Sequence, residues 1–276
     1  MRLAARVGAM TVAFLSLAWA GDGPPCLWIL PFENMGASSS SDYLQDALPA
    51  LLAVAVSRSD EHVVVDRERL NHVLEEQSLT LAGLTSPDAR QRAGKILGAT
   101  ILISGSFLQQ GGELRVIMRA ADLETGIVTA AAEAGGPSGQ PGELVTRLYR
   151  KLAANLARRL PELTPDQIDP APLANLHFIK GLGHYYGGRY NHALAEFLLA
   201  GEEERLTGIS RLWLANTYLA QQQFTHAYLE LNRLIHSGSI PDKEVSSKLK
   251  ACERHLSPDD RKRIREMAAR TAPVKE

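Results

Sequence analysis

The chain has 276 residues, 45% hydrophobic and 22% charged, with a formal net charge of −1. At ~150 residues per domain, that length suggests about two domains. So even a charge balance gives no electrostatic reason to expect nucleic acid as a partner.

Residues 1–20 read as a signal peptide. Arg2 and Arg6 form a positive start, Val7 to Leu17 are mostly apolar, and Ala18-Trp19-Ala20 fits a small-x-small cleavage site. The apolar run is far short of the ~20 residues that span a bilayer, and no other segment is long and apolar enough. The mature protein is therefore expected to be exported, with no membrane span. Export permits a disulfide, but Cys26 and Cys252 lie at opposite ends of the chain. Cys26 sits close behind the leader, where a lipidated cysteine would stand. Gly23-Pro24-Pro25 lacks the leucine and small residues that usually precede one, so a plain thiol or a buried strand cysteine is expected.

"LWILPFEN", residues 27–34, is too short for a helix and reads as a strand buried on both faces, with Glu33 and Asn34 opening a turn. Serines 38–41 precede Asp42, a candidate N-cap for a helix to Val56, with Pro49 expected to kink or interrupt it. "HVVVD" (62–66) reads as a second strand, and Leu70, Val73, Leu74 and Gln77 give helical spacing. Pro87 starts a helix to about Leu97. "ATILISGSFLQ" (99–109) is the next strand. Gly111-Gly112 turns it into "ELRVIMRAAD", where Leu114, Val116 and Met118 alternate with Arg115 and Arg119, as in an antiparallel strand with one wet face. Thr125-Gly126 turns again into "IVTAAAEA", and Glu143 to Leu160 is an amphipathic helix. Residues 26–160 thus form a mixed α/β domain. "PELTPDQIDP" (161–170), with three prolines, is the linker.

The tail repeats itself at an offset of 34 residues. Ala193 falls on Ala227, Tyr190 on Phe224, Phe197 on Leu231, His184 on Tyr218 and Gly181 on Ala215. This period, with small residues where helices cross, is the tetratricopeptide signature. Two repeats are placed over 171–238 and capping helices over 239–270, because two repeats alone expose an apolar end. In the last helix Ser257 caps, Pro258 starts, and Asp259 and Asp260 sit at the positive end.

Chemistry-bearing patterns are missing. No HExxH, phosphate loop, nucleophile elbow or zinc-type cysteine pair occurs, so no catalytic residue, metal site or cofactor is assigned. His177, His184 and His192 share the first repeat, but His184 takes a packing position that is usually aromatic.

Several stretches together resemble the CsgG family, the α/β domain of the curli secretion channel and related envelope lipoproteins. They are "LPFEN", Asp66-Arg67, Leu70, Leu74, Glu76-Gln77, Gly83-Leu84, Ala93-Gly94-Lys95, Leu97-Gly98-Ala99, Gly105 and "LRVIMRAADLETGIV". The amino-terminal domain of TolB-like proteins is also similar. The resemblance implies a mixed sheet with flanking helices over residues 26–160, in which "PFEN" closes a strand without catalytic duty. It departs from the secretion channel where that protein inserts membrane hairpins. A membrane strand needs ~9–11 residues, and neither Gln110-Gly111-Gly112 nor "GGPSGQPG" holds a hairpin.

The expected fold is therefore an α/β, CsgG-like amino-terminal domain plus an all-α domain of tetratricopeptide hairpins. The expected function is a non-enzymatic periplasmic adaptor that binds a protein or peptide partner in outer-membrane assembly or secretion. The rivals are a secretion or pore component of the outer membrane and a hydrolase. The candidate peptide-binding residues are Asn175, Phe178, Leu182, Tyr185 and Tyr186 in the first repeat and Leu212, Asn216 and Leu219 in the second. Asn216 falls where the repeat family commonly places a backbone-binding asparagine, as the resemblance implies. The alternative is that Phe178, Leu182 and Leu212 pack against the α/β domain or the linker.

Overall fold

The structure is a computed structural model that describes residues 25–56, 63–65, 87–156, 173–203, 207–237 and 242–270. The expected leader, the helix through Leu70 and Leu74, and the 161–170 linker lie outside the described residues.

A mixed sheet organises the first half. Its strands are β1 (Cys26–Ile29), β2 (Glu33–Asn34), β3 (Val63–Val64), β4 (Ile101–Gln110), β5 (Glu113–Asp122) and β6 (Val128–Pro137). They run in the order β3-β1-β4-β5-β6, with β2 also paired to β4. β1, β2 and β3 are parallel to their neighbours, and β4, β5 and β6 form an antiparallel meander. Gly111 and Gly112, at φ 60° and 83°, make the first turn of that meander possible.

"LWILPFEN" is one interrupted strand. Leu27 pairs with Ile101 but Glu33 pairs with Ser106, so the register slips by one residue between them. The slip falls at Pro31, which has no N–H to give to the ladder. It drops Phe32 onto Gly105, where a β-carbon would stand 2.5 Å from the Phe32 ring. Glu33 and Asn34 were expected to open a turn. They instead add a short parallel pair with β4, and Asn34 then ties down the following loop. Its Nδ2 donates to Asp42 Oδ1 at 2.9 Å and its Oδ1 accepts from Gly36 N at 2.9 Å. Leu27 is buried on one sheet face and Trp28 on the other, as an apolar run without alternation requires.

Helix α1 (Tyr43–Val56) continues through Pro49, where a kink or an interruption was expected. Proline removes the donor to the carbonyl four residues back, here that of Gln45. Phe32 N fills the vacancy, donating to Gln45 O at 2.9 Å, so the carbonyl is not orphaned in the core. The same contact fixes the strand break over the helix. Asp42 does not act as a simple N-cap: its Oδ1 accepts from the Asn34 and Gln45 side chains, and a 3-10 turn (Ser39–Ser41) leads into the helix.

Helix α2 (Pro87–Leu97) covers Trp28 and Leu102 on one face of the sheet. On the other face α1 and α3 (Pro141–Asn155) bury Leu114, Val116, Met118 and Ala120 of β5 with Ala130, Ala132 and Ala134 of β6. The alternation read from β5 is observed. Arg115 and Arg119 are exposed between the buried residues.

The tail consists of helices α4 (Leu176–Tyr186), α5 (Tyr190–Ala200), α6 (Thr207–Ala220), α7 (Phe224–Ser237), α8 (Asp242–Glu253) and α9 (Pro258–Arg270). α4–α5 and α6–α7 are two copies of one hairpin. At an offset of 34 residues, Gly188 N donates to Tyr185 O as Gln222 N does to Leu219 O, and Arg189 N to His184 O as Gln223 N does to Tyr218 O. The side chains repeat too. His184–His192 and Tyr218–His226 pair their rings at 5.3 and 5.1 Å, and His177–Glu196 recurs as Arg211–Glu230. Helices α8 and α9 both pack on α7, closing its apolar face with Val245, Cys252 and Ile264. Tyr228, Glu253 and Arg265 lock them together: Tyr228 Oη donates to Glu253 at 3.1 Å, and Arg265 Nε donates to Tyr228 Oη at 2.8 Å.

The two halves share one core. α4 lies along α1, and Phe178, Ile179, Leu182 and Phe197 belong to the same buried cluster as Leu44, Leu48 and Val116. Gly183 permits this approach, since a β-carbon there would collide with the Tyr43 carbonyl oxygen. Gly142 does the same from the α/β side against the carbonyl of Leu173.

Candidate functional site

The eight residues expected to line a peptide groove separate by repeat. Asn175 is the N-cap of α4: its Oδ1 accepts from Phe178 N at 2.8 Å and its Nδ2 donates to Glu203 at 2.9 Å. Phe178 and Leu182 are fully buried. Their expected place on a ligand-facing surface is corrected here, because α4 lays that face on α1. Tyr185 and Tyr186 are half-buried and pack edge-on against Trp213, with ring centroids 5.2 and 5.7 Å apart. The first repeat's groove face is thus taken by the chain itself and by an aromatic nest.

The second repeat differs. Leu212 is buried beneath α7, but Asn216 and Leu219 line an open groove of about 400 Å³ between α6 and α8. Ala220 completes its α6 wall, and Ser247, Lys248 and Ala251 form the α8 wall. Asn216 Oδ1 is buried and has no hydrogen-bond partner. A desolvated carbonyl oxygen left without a donor costs ~1–3 kcal/mol. Leu219, Ala220 and Ala251 supply apolar wall, and Lys248 is the charged side chain of the lining.

The α8 residues were missed at the sequence level, where 239–270 was read only as a cap. The same offset that aligns the first two units carries Tyr218 onto Cys252 and helix α6 onto α8. Extending the repeat one unit further would have found the second wall. The pattern is weak there because α8 and α9 are rich in charge.

The tail histidines do not gather into a metal site. Among the described residues no group of three or more His, Cys, Asp and Glu side chains comes together as ligands. His177 and Glu196 form a 2.7 Å pair, but its counterpart one unit on is an arginine–glutamate strut, which marks the position as structural. His184 is disfavoured in its charged form. Burial lowers its pKa, and Arg189 and His192 lower it further, while Arg189 Nε donates to its Nδ1 at 3.0 Å.

No described helix is long and apolar enough to cross a membrane. The β4–β5 connection is the two-residue Gly111–Gly112 turn, and Ser138–Gln140 join β6 to α3.

Residues 30–135 match the family model for the curli production assembly/transport component CsgG. No curated protein sequence matches the chain. Among solved structures, the chain is similar to lipoprotein GNA1162 from Neisseria meningitidis at 16% identity, over 49% of this chain and 100% of that one, with a TM-score of 0.37. For the LpoB C-terminal domain from Salmonella enterica the figures are 13% identity, 43% and 87% coverage, and a TM-score of 0.35. TolB from Acinetobacter baumannii matches at 12% identity over 49% of this chain and 29% of its own, with a TM-score of 0.33.

Proposed function

We propose that the chain is a non-enzymatic adaptor of the cell envelope that holds a peptide segment of a partner protein in the groove between α6 and α8. The observation that carries this reading is Asn216 Oδ1, a buried acceptor without a donor beside an open channel whose walls are part apolar and part polar. A peptide backbone supplies N–H donors at regular spacing, and its side chains would fill the wall made by Leu219, Ala220 and Ala251. The paired hairpins, with their 34-residue period, are read as tetratricopeptide units. The envelope setting is inferred from the leader-like residues 1–20 and from the family match over residues 30–135. The α/β domain would be the half that attaches to an envelope assembly.

A photo-crosslinking residue at Leu219, introduced into cells producing the full-length protein, tests the reading. A discrete adduct whose peptide maps to one partner is expected. Asn216→Ala should weaken binding of that peptide, made synthetically, about tenfold, the equivalent of ~1.4 kcal/mol, without lowering the melting temperature. Undiminished binding by Asn216→Ala would remove the groove from the mechanism.

The second reading, a pore or secretion component, draws on the same family match. The two-residue turn at Gly111–Gly112 and the short connection before α3 argue against it, because neither holds strands long enough for a bilayer.

A further inference from the structure

The groove between α6 and α8 is a gap in the repeat. One unit earlier, the space between α4 and α6 holds the indole of Trp213, edge-on against Tyr185 and Tyr186 and stacked on Phe197 at a ring separation of 5.8 Å. The 34-residue offset carries Trp213 onto Ser247, Tyr185 onto Leu219 and Tyr186 onto Ala220. It also carries Leu214 onto Lys248 and Thr217 onto Ala251. All of these second-unit residues line the groove. Helix α8 packs on α7 as α6 packs on α5, so the equivalence holds in space as well as in sequence. The groove therefore lies where the aromatic nest would be, with its rings replaced by Ser247, Leu219 and Ala220.

Two further substitutions define what fits the gap. Phe197 corresponds to Leu231, which is buried in the cluster that Leu219 joins, so the surroundings stay apolar. Asn216 stands where the first unit has the fully buried Leu182, so an acceptor has replaced a methyl group. That acceptor, Asn216 Oδ1, is buried without a partner. A missing indole beside an unpaired acceptor is a site for a ring that carries an N–H. Tryptophan is that side chain: its indole has one donor and no acceptor, and a buried indole seeks such a partner. Phenylalanine would fill the space but leave Asn216 Oδ1 unpaired, tyrosine offers an O–H on a smaller ring, and an aliphatic side chain meets neither need.

We infer that the partner segment anchors itself by a tryptophan, whose indole enters the α6–α8 groove as Trp213 enters the α4–α6 space and whose Nε1 donates to Asn216 Oδ1. This rests on the reading of the groove as a peptide site and adds the side chain that fills it. A carbonyl oxygen has two lone pairs, so a backbone N–H and the indole can share Asn216.

The test is an NMR titration of the full chain with isotope-labelled leucine methyl groups, read at Leu219. The probes are N-acetyltryptophanamide, N-acetylphenylalaninamide and N-acetylleucinamide. The tryptophan amide should give a saturable ring-current shift at millimolar concentration and bind about tenfold more tightly than the leucine amide. Asn216→Leu should erase the preference for the tryptophan over the phenylalanine amide. Ser247→Trp, which rebuilds the missing ring within the chain, should abolish binding of the tryptophan amide. Equal affinity for the tryptophan and leucine amides, or no saturable shift with any of them, would overturn the inference, and this comparison needs the parent alone. A preference that survives Asn216→Leu would overturn the indole contact with Asn216. A partner peptide crosslinked at Leu219 that lacks tryptophan would overturn the anchor while upholding the groove, whereas the absence of any adduct would remove the groove itself.

Discussion

Gly188 and Gln222 occupy the same place in successive hairpins, 34 residues apart, and both are left-handed, at φ 71° and 59°. Glycine adopts that conformation freely, whereas a side-chain-bearing residue loses ~1–2 kcal/mol. Gln222→Gly should therefore stabilise the protein by up to about 1 kcal/mol and Gly188→Gln should destabilise it by a similar amount. Urea denaturation of the two variants checks both signs. Equal, small effects at the two positions would show that the shared turn is not what sets the hairpin geometry.

The contact of Gly183 with Tyr43 governs how the halves join. Gly183→Val forces a side chain into the Tyr43 carbonyl and the Ala47 methyl group, and overpacking of this kind costs ~1–3 kcal/mol. Because the core is continuous, the parent should give one calorimetric transition. Gly183→Val should lower its midpoint or divide it in two.

Acid should loosen the first hairpin through His184. Its folded pKa lies below the ordinary value of 6.5, first because of burial and then because of Arg189 and His192. The unfolded state therefore binds the proton more readily. The stabilisation is complete above pH 6.5 and is lost as pH falls through the folded value. His184→Gln should flatten the fall in stability between pH 7.5 and 5 relative to the parent. Parallel curves for the two proteins would exclude His184 as the source.

Cys252 is fully buried under α7, and burial pushes its thiol up to about 11. A thiol this high and this covered is a poor nucleophile. Alkylation at pH 8 should label Cys252 only when α8 opens, at a rate that rises with Arg265→Ala, which breaks the lock to Tyr228 and Glu253. Mass spectrometry of the labelled peptide measures it. Labelling of the native parent as fast as that of an unfolded control would contradict the burial.

Much of this architecture was legible because it is written locally. Alternation in β5, the glycine turns and the 34-residue period each follow from the geometry of one element or one hairpin. The misreadings come from contacts between distant residues. Pro49 should break a helix, and nothing near it in the chain reveals that Phe32 supplies the missing donor. Phe178 and Leu182 form an apolar stripe, but periodicity identifies a face that will be covered and not what covers it. Arg147, Lys151 and Asn155 donate to the carbonyls of Gly135, Glu133 and Ala131 on β6, contacts that the amphipathic pattern of α3 does not contain.

The shared core has a mechanical meaning. Separating the tail from the sheet would require pulling Phe178, Ile179 and Leu182 out of the core that α4 shares with α1, exposing apolar surface worth ~2 kcal/mol for each large side chain. The described halves should therefore turn as one body, so that the groove between α6 and α8 keeps its direction relative to the sheet.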